Sequence, residues 1–170
     1  SPSTTIKINS SYSITANFAT DPFSGGNGTP GNPYLIQNAC QLQNMNSNLG
    51  AYYALVNDIN VSSTSFWNGG SGFLPVGNNV SQFNGSFDGR RYTIIGLYIN
   101  RSSTDYVGLF GYVGTVGTIN NVSLLNVSIT GKRFTGGLIG QNDGTVNNSF
   151  SNGNVAGSII IGGLVGSNNG

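Results

Sequence analysis

The chain reads as an all-β protein, a parallel β-solenoid with one short flanking or capping helix. Three observations predict this. A glycine-bracketed apolar motif recurs as Val107-Gly108-Leu109-Phe110-Gly111, Gly136-Gly137-Leu138-Ile139-Gly140 and Gly162-Gly163-Leu164-Val165-Gly166. Thr118-Ile119-Asn120-Asn121-Val122-Ser123 and Thr145-Val146-Asn147-Asn148-Ser149-Phe150 fill the intervals, a period of about 25 to 29 residues typical of stacked repeats. Each unit holds only short β-type segments broken by Gly and Asn. Such segments bury a core only when coil stacks on coil.

The first seventeen residues read as an extended strand. Ile6, Ile8, Tyr12 and Ile14 share one parity and Lys7, Asn9, Ser11 and Ser13 the other, the period-2 pattern of a half-buried strand. Residues 18–90 form a helix-containing first part of the solenoid. Within it, residues 21–33 are dense in Gly, Pro and Asn and read as a loop. Asn38 then fits an N-cap with Gln41 three residues on, the spacing of a capping box. Ala39, Leu42, Met45 and Leu49 share a face, and Gly50 fits the C′ position. Residues 52–61 read as a strand, followed by a loop around Trp67.

Residues 91–170 form the repeat coils, led by a degenerate copy, Thr93-Ile94-Ile95-Gly96-Leu97-Tyr98-Ile99. Alignment of the copies predicts columns of like residues, spaced about 4.8 Å as in any parallel stack. Ile94, Ile119 and Val146 would coincide, as would Leu97, Val122 and Ser149, and Ile99, Leu124 and Ser151. Leu109, Leu138 and Leu164 form another column beside Phe110, Ile139 and Val165. Asn121 over Asn148 would make an amide ladder.

Composition narrows the function. Only 6% of residues are charged, the net charge is +1, and His is absent. No basic cluster supports nucleic-acid binding, and no apolar run is long enough to insert in a membrane. Asn-x-Ser/Thr occurs at Asn9, Asn27, Asn60, Asn79, Asn84, Asn100, Asn121, Asn126 and Asn147. That density suits an extracellular or cell-surface glycoprotein. The single cysteine, Cys40, reads as a buried small hydrophobe.

The glycine-bracketed triplets, each separated by a G-T-[IV]-x-N segment, resemble the GLUG repeats of bacterial and archaeal cell-surface proteins. The preceding stretch is similar to the region that leads into those repeats: Gly26-Asn27-Gly28-Thr29, Asn32-Pro33-Tyr34-Leu35-Ile36, Gln41-Leu42, residues 53–59 and Phe83-Asn84-Gly85-Ser86-Phe87-Asp88-Gly89. The resemblance covers roughly residues 25–170. It implies a right-handed β-helix in large exported proteins, often adhesins, with no shared catalytic residues. This chain, at 170 residues, is short for that pattern.

No catalytic, cofactor or metal site is expected, and the chain does not read as an enzyme. The carboxylates Asp21, Asp58, Asp88, Asp105 and Asp143 are scattered, whereas polysaccharide lyases and hydrolases need carboxylate pairs or bound calcium. Asp58 and Asp88 are the pair that could approach in space. Without His there is neither a zinc site nor a base for a nucleophile. Of the aromatics, Trp67 in its Gly/Asn/Ser loop is the candidate for stacking on a sugar ring.

The last coil stops after Ser167-Asn168-Asn169-Gly170, one strand short of the preceding pattern. Leu164, Val165, Gly166 and Asn169 would therefore lie at an open edge, which proteins rarely leave bare. Residues 1–15 of a neighbouring copy, with Ile6, Ile8, Tyr12 and Ile14 facing inward, could complete it. The expectation is a homo-oligomer, a head-to-tail filament or layer with an adhesive role. The alternatives are a non-assembling module that binds surface glycans within a larger protein, and a polysaccharide lyase or hydrolase.

Overall fold

The computed structural model describes residues 22–170. The donor-strand candidates Ile6, Ile8, Tyr12 and Ile14, together with Asn9 and Asp21, lie outside them. The strands are short, because Gly and Asn interrupt each β-prone run. In chain order they begin with β1 (Tyr34–Ile36), β2 (Tyr52–Leu55), β3 (Ile59–Asn60), β4 (Ser86–Asp88), β5 (Thr93–Ile95), β6 (Tyr98–Asn100) and β7 (Phe110–Val113). They continue with β8 (Thr118–Asn120), β9 (Ser123–Thr130), β10 (Arg133–Gly136) and β11 (Ile139–Asn142). The last circuit holds β12 (Thr145–Asn147), β13 (Phe150–Ala156), β14 (Ile159–Gly162) and β15 (Val165–Asn168).

Among the described residues, every ladder between named strands is parallel. One sheet runs β1-β2-β4-β8-β12, a second β13-β9-β5-β3 with β6 also beside β9, a third β15-β11-β7, and β10 pairs β14. The chain thus leaves each sheet, passes through the others and returns beside its own earlier strand. The first sheet crosses residue 90, so the stack is continuous through the boundary read from the sequence.

Side chains inside the circuits make one core. Phe87, Ile94, Phe110, Ile119, Leu124, Leu138 and Ile139 are fully buried. Phe83 and Phe87 pack against Phe110 with ring centroids 4.9 and 5.6 Å apart.

Register follows the repeat in the later circuits and departs from it in the degenerate copy. Ile139 stands over Phe110 and under Val165, and Val146 over Ile119, as the repeats predict. Ile94, however, aligns with Leu124 rather than Ile119, whose lower neighbour is Phe87. Ile99 aligns with Ile129 rather than Leu124. Leu97 is displaced in the same sense, because Ser128 N–H bonds its carbonyl (2.9 Å). The Thr93–Ile99 stretch supplies two strands, β5 and β6, that both lie along the eight-residue β9. Its resemblance to residues 118–124 is local, and hydrophobic placement along β9 decides the register.

The glycine after each apolar pair has a steric cause. Gly140 and Gly166 sit so close to the circuit below that an added Cβ would lie 2.7 Å from Gly111 O and 2.6 Å from Gly140 O, respectively. Only Gly allows the backbones to nest there.

The helix α1 (Ala39–Asn44) starts as predicted, with Asn38 Oδ1 accepting from Gln41 N–H at 3.0 Å. The box is only half formed, since Gln41 Oε1 accepts from Gln37 N–H (2.9 Å) instead of Asn38. A 3₁₀ turn at Met45–Ser47 follows, and extended Asn48 (φ −149°) ends it. Gly50 is therefore not the C′ residue; its N–H caps onto Asn48 Oδ1 (3.2 Å). Cys40, expected to be buried, is exposed. Ala39, Leu42 and Met45 take the inner face, which turns their neighbour outward. The predicted strand at 52–61 is split into β2 and β3, and the Trp67 loop is a kinked 3₁₀ segment, Ser62–Gly70.

Gly140→Ala should lower stability by about 1–3 kcal/mol through overpacking against rigid backbone. Denaturant melts would show it, and an unchanged midpoint would rule out the steric account of the glycine column.

Candidate functional site

The two ends of the stack differ. At the first circuit, Phe23 is buried and stacks on Tyr34 with ring centroids 4.4 Å apart. Ser24 N–H bonds Leu35 O (2.8 Å) and Leu35 N–H bonds Gly25 O (2.9 Å), so the outer edge of β1 is occupied. Residues 74–77 lie beside β7, with Val76 bridging Phe110. Their far side meets the side-chain amides of α1 and the turn after it. Leu74 N–H bonds Gln43 Oε1 (2.8 Å) and Gln43 Nε2 bonds Leu74 O (2.9 Å), while Gly77 N–H bonds Asn46 Oδ1 (3.2 Å). Each carboxamide takes the place of a peptide group, so these backbone donors and acceptors are satisfied without another strand.

At the other end, β12, β13, β14 and β15 are, among the described residues, the outermost strands of the four sheets. Val146, Val155, Leu164 and Val165 are only partly buried, although Ile119, Ile129, Leu138 and Ile139 one circuit below are buried. Phe150, Ile159, Ile160 and Ile161 are 43–53% exposed. A cavity of about 380 Å³ opens on this face between Val146, Leu164, Val165 and Asn168. The predicted edge residues Leu164, Val165, Gly166 and Asn169 all belong to this circuit. Sequence reading missed Phe150 and Ile159–Ile161 as parts of the face; the unbroken isoleucine run, unusual in so polar a chain, was the available signal.

Polar columns run up to the same face. Asn121 Nδ2 donates to Asp88 Oδ1 (2.9 Å) and Asn148 Nδ2 to Asn121 Oδ1 (3.4 Å), which makes the predicted ladder and roots it on a carboxylate. Both asparagines are left-handed, with φ 55° and 48°, a conformation Asn tolerates. Asn147 pairs with Asn120 and Asn142 with Asn168 in the same way (3.3 and 2.6 Å). On another corner Tyr106, Phe134 and Ile160 are left-handed too, at φ 60°, 52° and 57°. This is a costly state for bulky residues. The Tyr106 and Phe134 rings stack 4.9 Å apart at 7°, and Arg133 lies 5.2 Å from the Phe134 ring centre. Ile160 ends the column half exposed.

The carboxylates serve as acceptors. Asp58 Oδ1 takes Thr93 N–H (2.7 Å), and Asp88 Oδ1 takes Arg90 N–H (2.8 Å) as well as Asn121. Asp143 accepts from Tyr112 Oη (2.6 Å), Gln141 Nε2 (2.8 Å) and Asn169 Nδ2 (3.1 Å). The Tyr112 hydrogen bond is the main reason its carboxyl lies below the ordinary range. The same bond, with burial, pushes the Tyr112 phenol up to about 12. Burial raises Tyr53 further, its hydroxyl donating to Asn48 O (2.7 Å). Asp105 differs from the rest: its Oδ1 is buried and bonds nothing. No cluster of three His, Cys, Asp or Glu residues fit for a metal is present among the described residues.

Trp67 is half-buried and packs on Phe73, ring centroids 6.5 Å apart. With Leu74 and the amides of Gln43, Asn46 and Asn68 it lines a shallow groove of about 420 Å³. Of the sequon asparagines, Asn27, Asn60, Asn79, Asn84, Asn100, Asn126 and Asn147 are exposed. Asn121 is half-buried, with its Nδ2 committed to Asp88.

These features define an all-β protein of stacked parallel strands whose first and last described circuits differ, with grooves on its flank. No protein-family model matches it. The chain is 44% identical over 128 residues to halomucin of Haloquadratum walsbyi, covering 72% of this chain and 1% of that protein. It is 40% identical over 132 residues to a protein of Evansella cellulosilytica named as a candidate Gly-rich membrane protein, covering 74% and 15%. The chain thus spans a small fraction of either relative. A crystal structure of a Bacteroides ovatus protein, named as a candidate immunoglobulin A1 protease, aligns at TM-score 0.48 and 20% identity over 87% of this chain and 65% of that one. The relatives' names are those of a mucin and a membrane protein, which fits a surface or membrane-associated setting. No helix among the described residues is long and apolar enough to cross a membrane.

Stability should be flat from about pH 5 to 9, since the chain has neither His nor Glu. The lowered Asp143 carboxyl adds stability above its unfolded value, about 3.9, and loses it as pH falls through the folded one. The raised Tyr112 and Tyr53 phenols act oppositely, losing their contribution as pH climbs from about 10. Melting temperatures should trace this plateau, and Asp143→Asn should be less stable at pH 7 with the difference closing as the pH falls below the ordinary carboxylate range. A slope across the neutral range, or a constant Asp143→Asn deficit, would contradict it.

Proposed function

We propose that the chain is a length of right-handed β-solenoid acting as a non-catalytic structural element at the cell surface. In this reading its last circuit is completed by residues 1–15 of a second copy. Copies then join head to tail, and because such a contact does not close, the product is a filament. Adhesion is its use. Handedness follows the general preference of parallel crossovers and the resemblance to GLUG repeats.

The observation that carries the assembly is the asymmetry of the ends. Phe150 and Ile159–Ile161 lie about half exposed in β13 and β14, two of the four outermost described strands. Patches of this kind mark contact surfaces, and burying each isoleucine fully would contribute about 1 kcal/mol or more. The closed end of another copy cannot serve as the next circuit, because Ser24–Gly25 and the Gln43 and Asn46 amides already occupy its edges. An extended segment can add as a strand where a folded end cannot. Residues 1–15 alternate apolar and polar as that requires.

A second reading is favoured by the relatives, of which the chain covers 1% and 15%. There the same face is covered by the next circuit of one long polypeptide, and the chain is a module of a large adhesin. Both readings give the carboxylates structural work and no reaction.

Negative-stain electron microscopy of the purified chain should show long uniform fibres. Removal of residues 1–15 should leave soluble monomers, and so should the pair Ile159→Lys with Ile161→Lys, with melting shifted by no more than about 1 kcal/mol. Fibres formed by the truncated chain would refute strand donation. Dispersed particles from the full chain at every concentration would favour the module.

A further inference from the structure

We infer that a pocket on the flank of the stack, away from the end face, binds one neutral sugar ring of a surface polysaccharide. The pocket, about 190 Å³, lies where the turn after α1 meets residues 74–78 and 101–106, and is lined by Asn46, Leu74, Asn78, Arg101, Asp105 and Tyr106. Its volume is below the usual range for drug-sized ligands, about 300–1,000 Å³, and suits a single ring.

Two groups of opposite charge line it without pairing. Asp105 Oδ1 is buried and has no hydrogen-bond partner, which a native structure rarely leaves unexplained. Arg101 is half-buried, and its hydrogen bonds go to backbone carbonyls, Nε to Phe73 O (3.2 Å) and Nη2 to Gly72 O (3.5 Å). The guanidinium keeps further N–H donors. A cation would be drawn to Asp105 but repelled by Arg101, and an anion the reverse, so the pocket favours neither sign of net charge. A neutral polyhydroxylated ring meets both demands, with one hydroxyl donating to Asp105 and another accepting from Arg101.

The remaining lining fits the same ligand. Asn78 Oδ1 is committed to Val80 N–H and Ser81 N–H (2.8 and 2.9 Å), so its Nδ2 is the group left to donate. Leu74, 48% exposed, offers an apolar surface for the C–H face of a ring. Tyr106 stacks with both Tyr112 and Phe134, centroids 5.5 and 4.9 Å away, which holds it as a fixed wall. Asn46 and Leu74 also line the groove that leads to Trp67, so a longer glycan has a path across the flank.

Cellotetraose, maltotetraose and mannotetraose, with sialyllactose as an anionic comparison, can be titrated into the full chain by NMR and calorimetry. At least one neutral oligosaccharide should bind with Kd below about 10 mM and shift the Leu74 and Tyr106 resonances. Asp105→Asn should weaken it about tenfold, the loss of one charge-assisted hydrogen bond, with melting preserved because Asp105 Oδ1 bonds nothing in the fold. The inference fails if none of the neutral probes binds, if sialyllactose binds as tightly, or if Asp105→Asn binds like the parent.

Discussion

Parallel pairing of each strand with the strands one circuit below and above is the constraint on which everything else depends. A strand of three or four residues is too short to persist alone, yet inside the stack both rows of its backbone groups are satisfied. Once circuits repeat, each corner must accept the same residue again and again. Close backbone approach imposes glycine at Gly111, Gly140 and Gly166. Left-handed corners favour asparagine at Asn121 and Asn148, where the amides then bond one another.

That constraint makes the ends of the stack chemically distinct from its middle. At the first circuit Gln43 meets both polar groups of Leu74, the Ser24–Gly25 backbone lies along β1, and Phe23 is buried against Tyr34. Among the described residues, the columns of the last circuit reach the surface. The aromatic corner shows how strongly the stack enforces continuity, since Tyr106, Phe134 and Ile160 all hold a backbone state their side chains disfavour. Stacking of Phe134 on Tyr106 and the Arg133 contact offset that cost.

The scarcity of charge fits the same architecture. A core made of stacked columns would place like charges about 4.8 Å apart, whereas stacked amides attract. Asn and Ser therefore supply the polarity, and Asp58, Asp88 and Asp143 act as hydrogen-bond acceptors for backbone and amide groups. Asp105 alone of the described carboxylates has an orphaned buried oxygen. The proposed growth along the stack and the inferred recognition on its flank draw on different residues.

Much of this was legible in the sequence because repetition is a one-dimensional signal. The period pointed to the parallel stack, the columns through Leu138 and Ile139 and the Asn121–Asn148 ladder, and the Asn38/Gln41 spacing to the helix cap. The Ala39/Leu42/Met45 face did carry the signal that Cys40 turns outward. Nothing in the order of residues showed that Thr93–Ile99 shifts to lie along β9, or that Gln43 and Asn46 meet the backbone of residues 74–77. Nor could it show Asp105 and Arg101 lining one pocket unpaired. Spacing along the chain determines which residues stack, because identical circuits superpose. Which residues meet across circuits of unequal length is decided only when the loops between them close in three dimensions, and the caps and the pocket lie at those places.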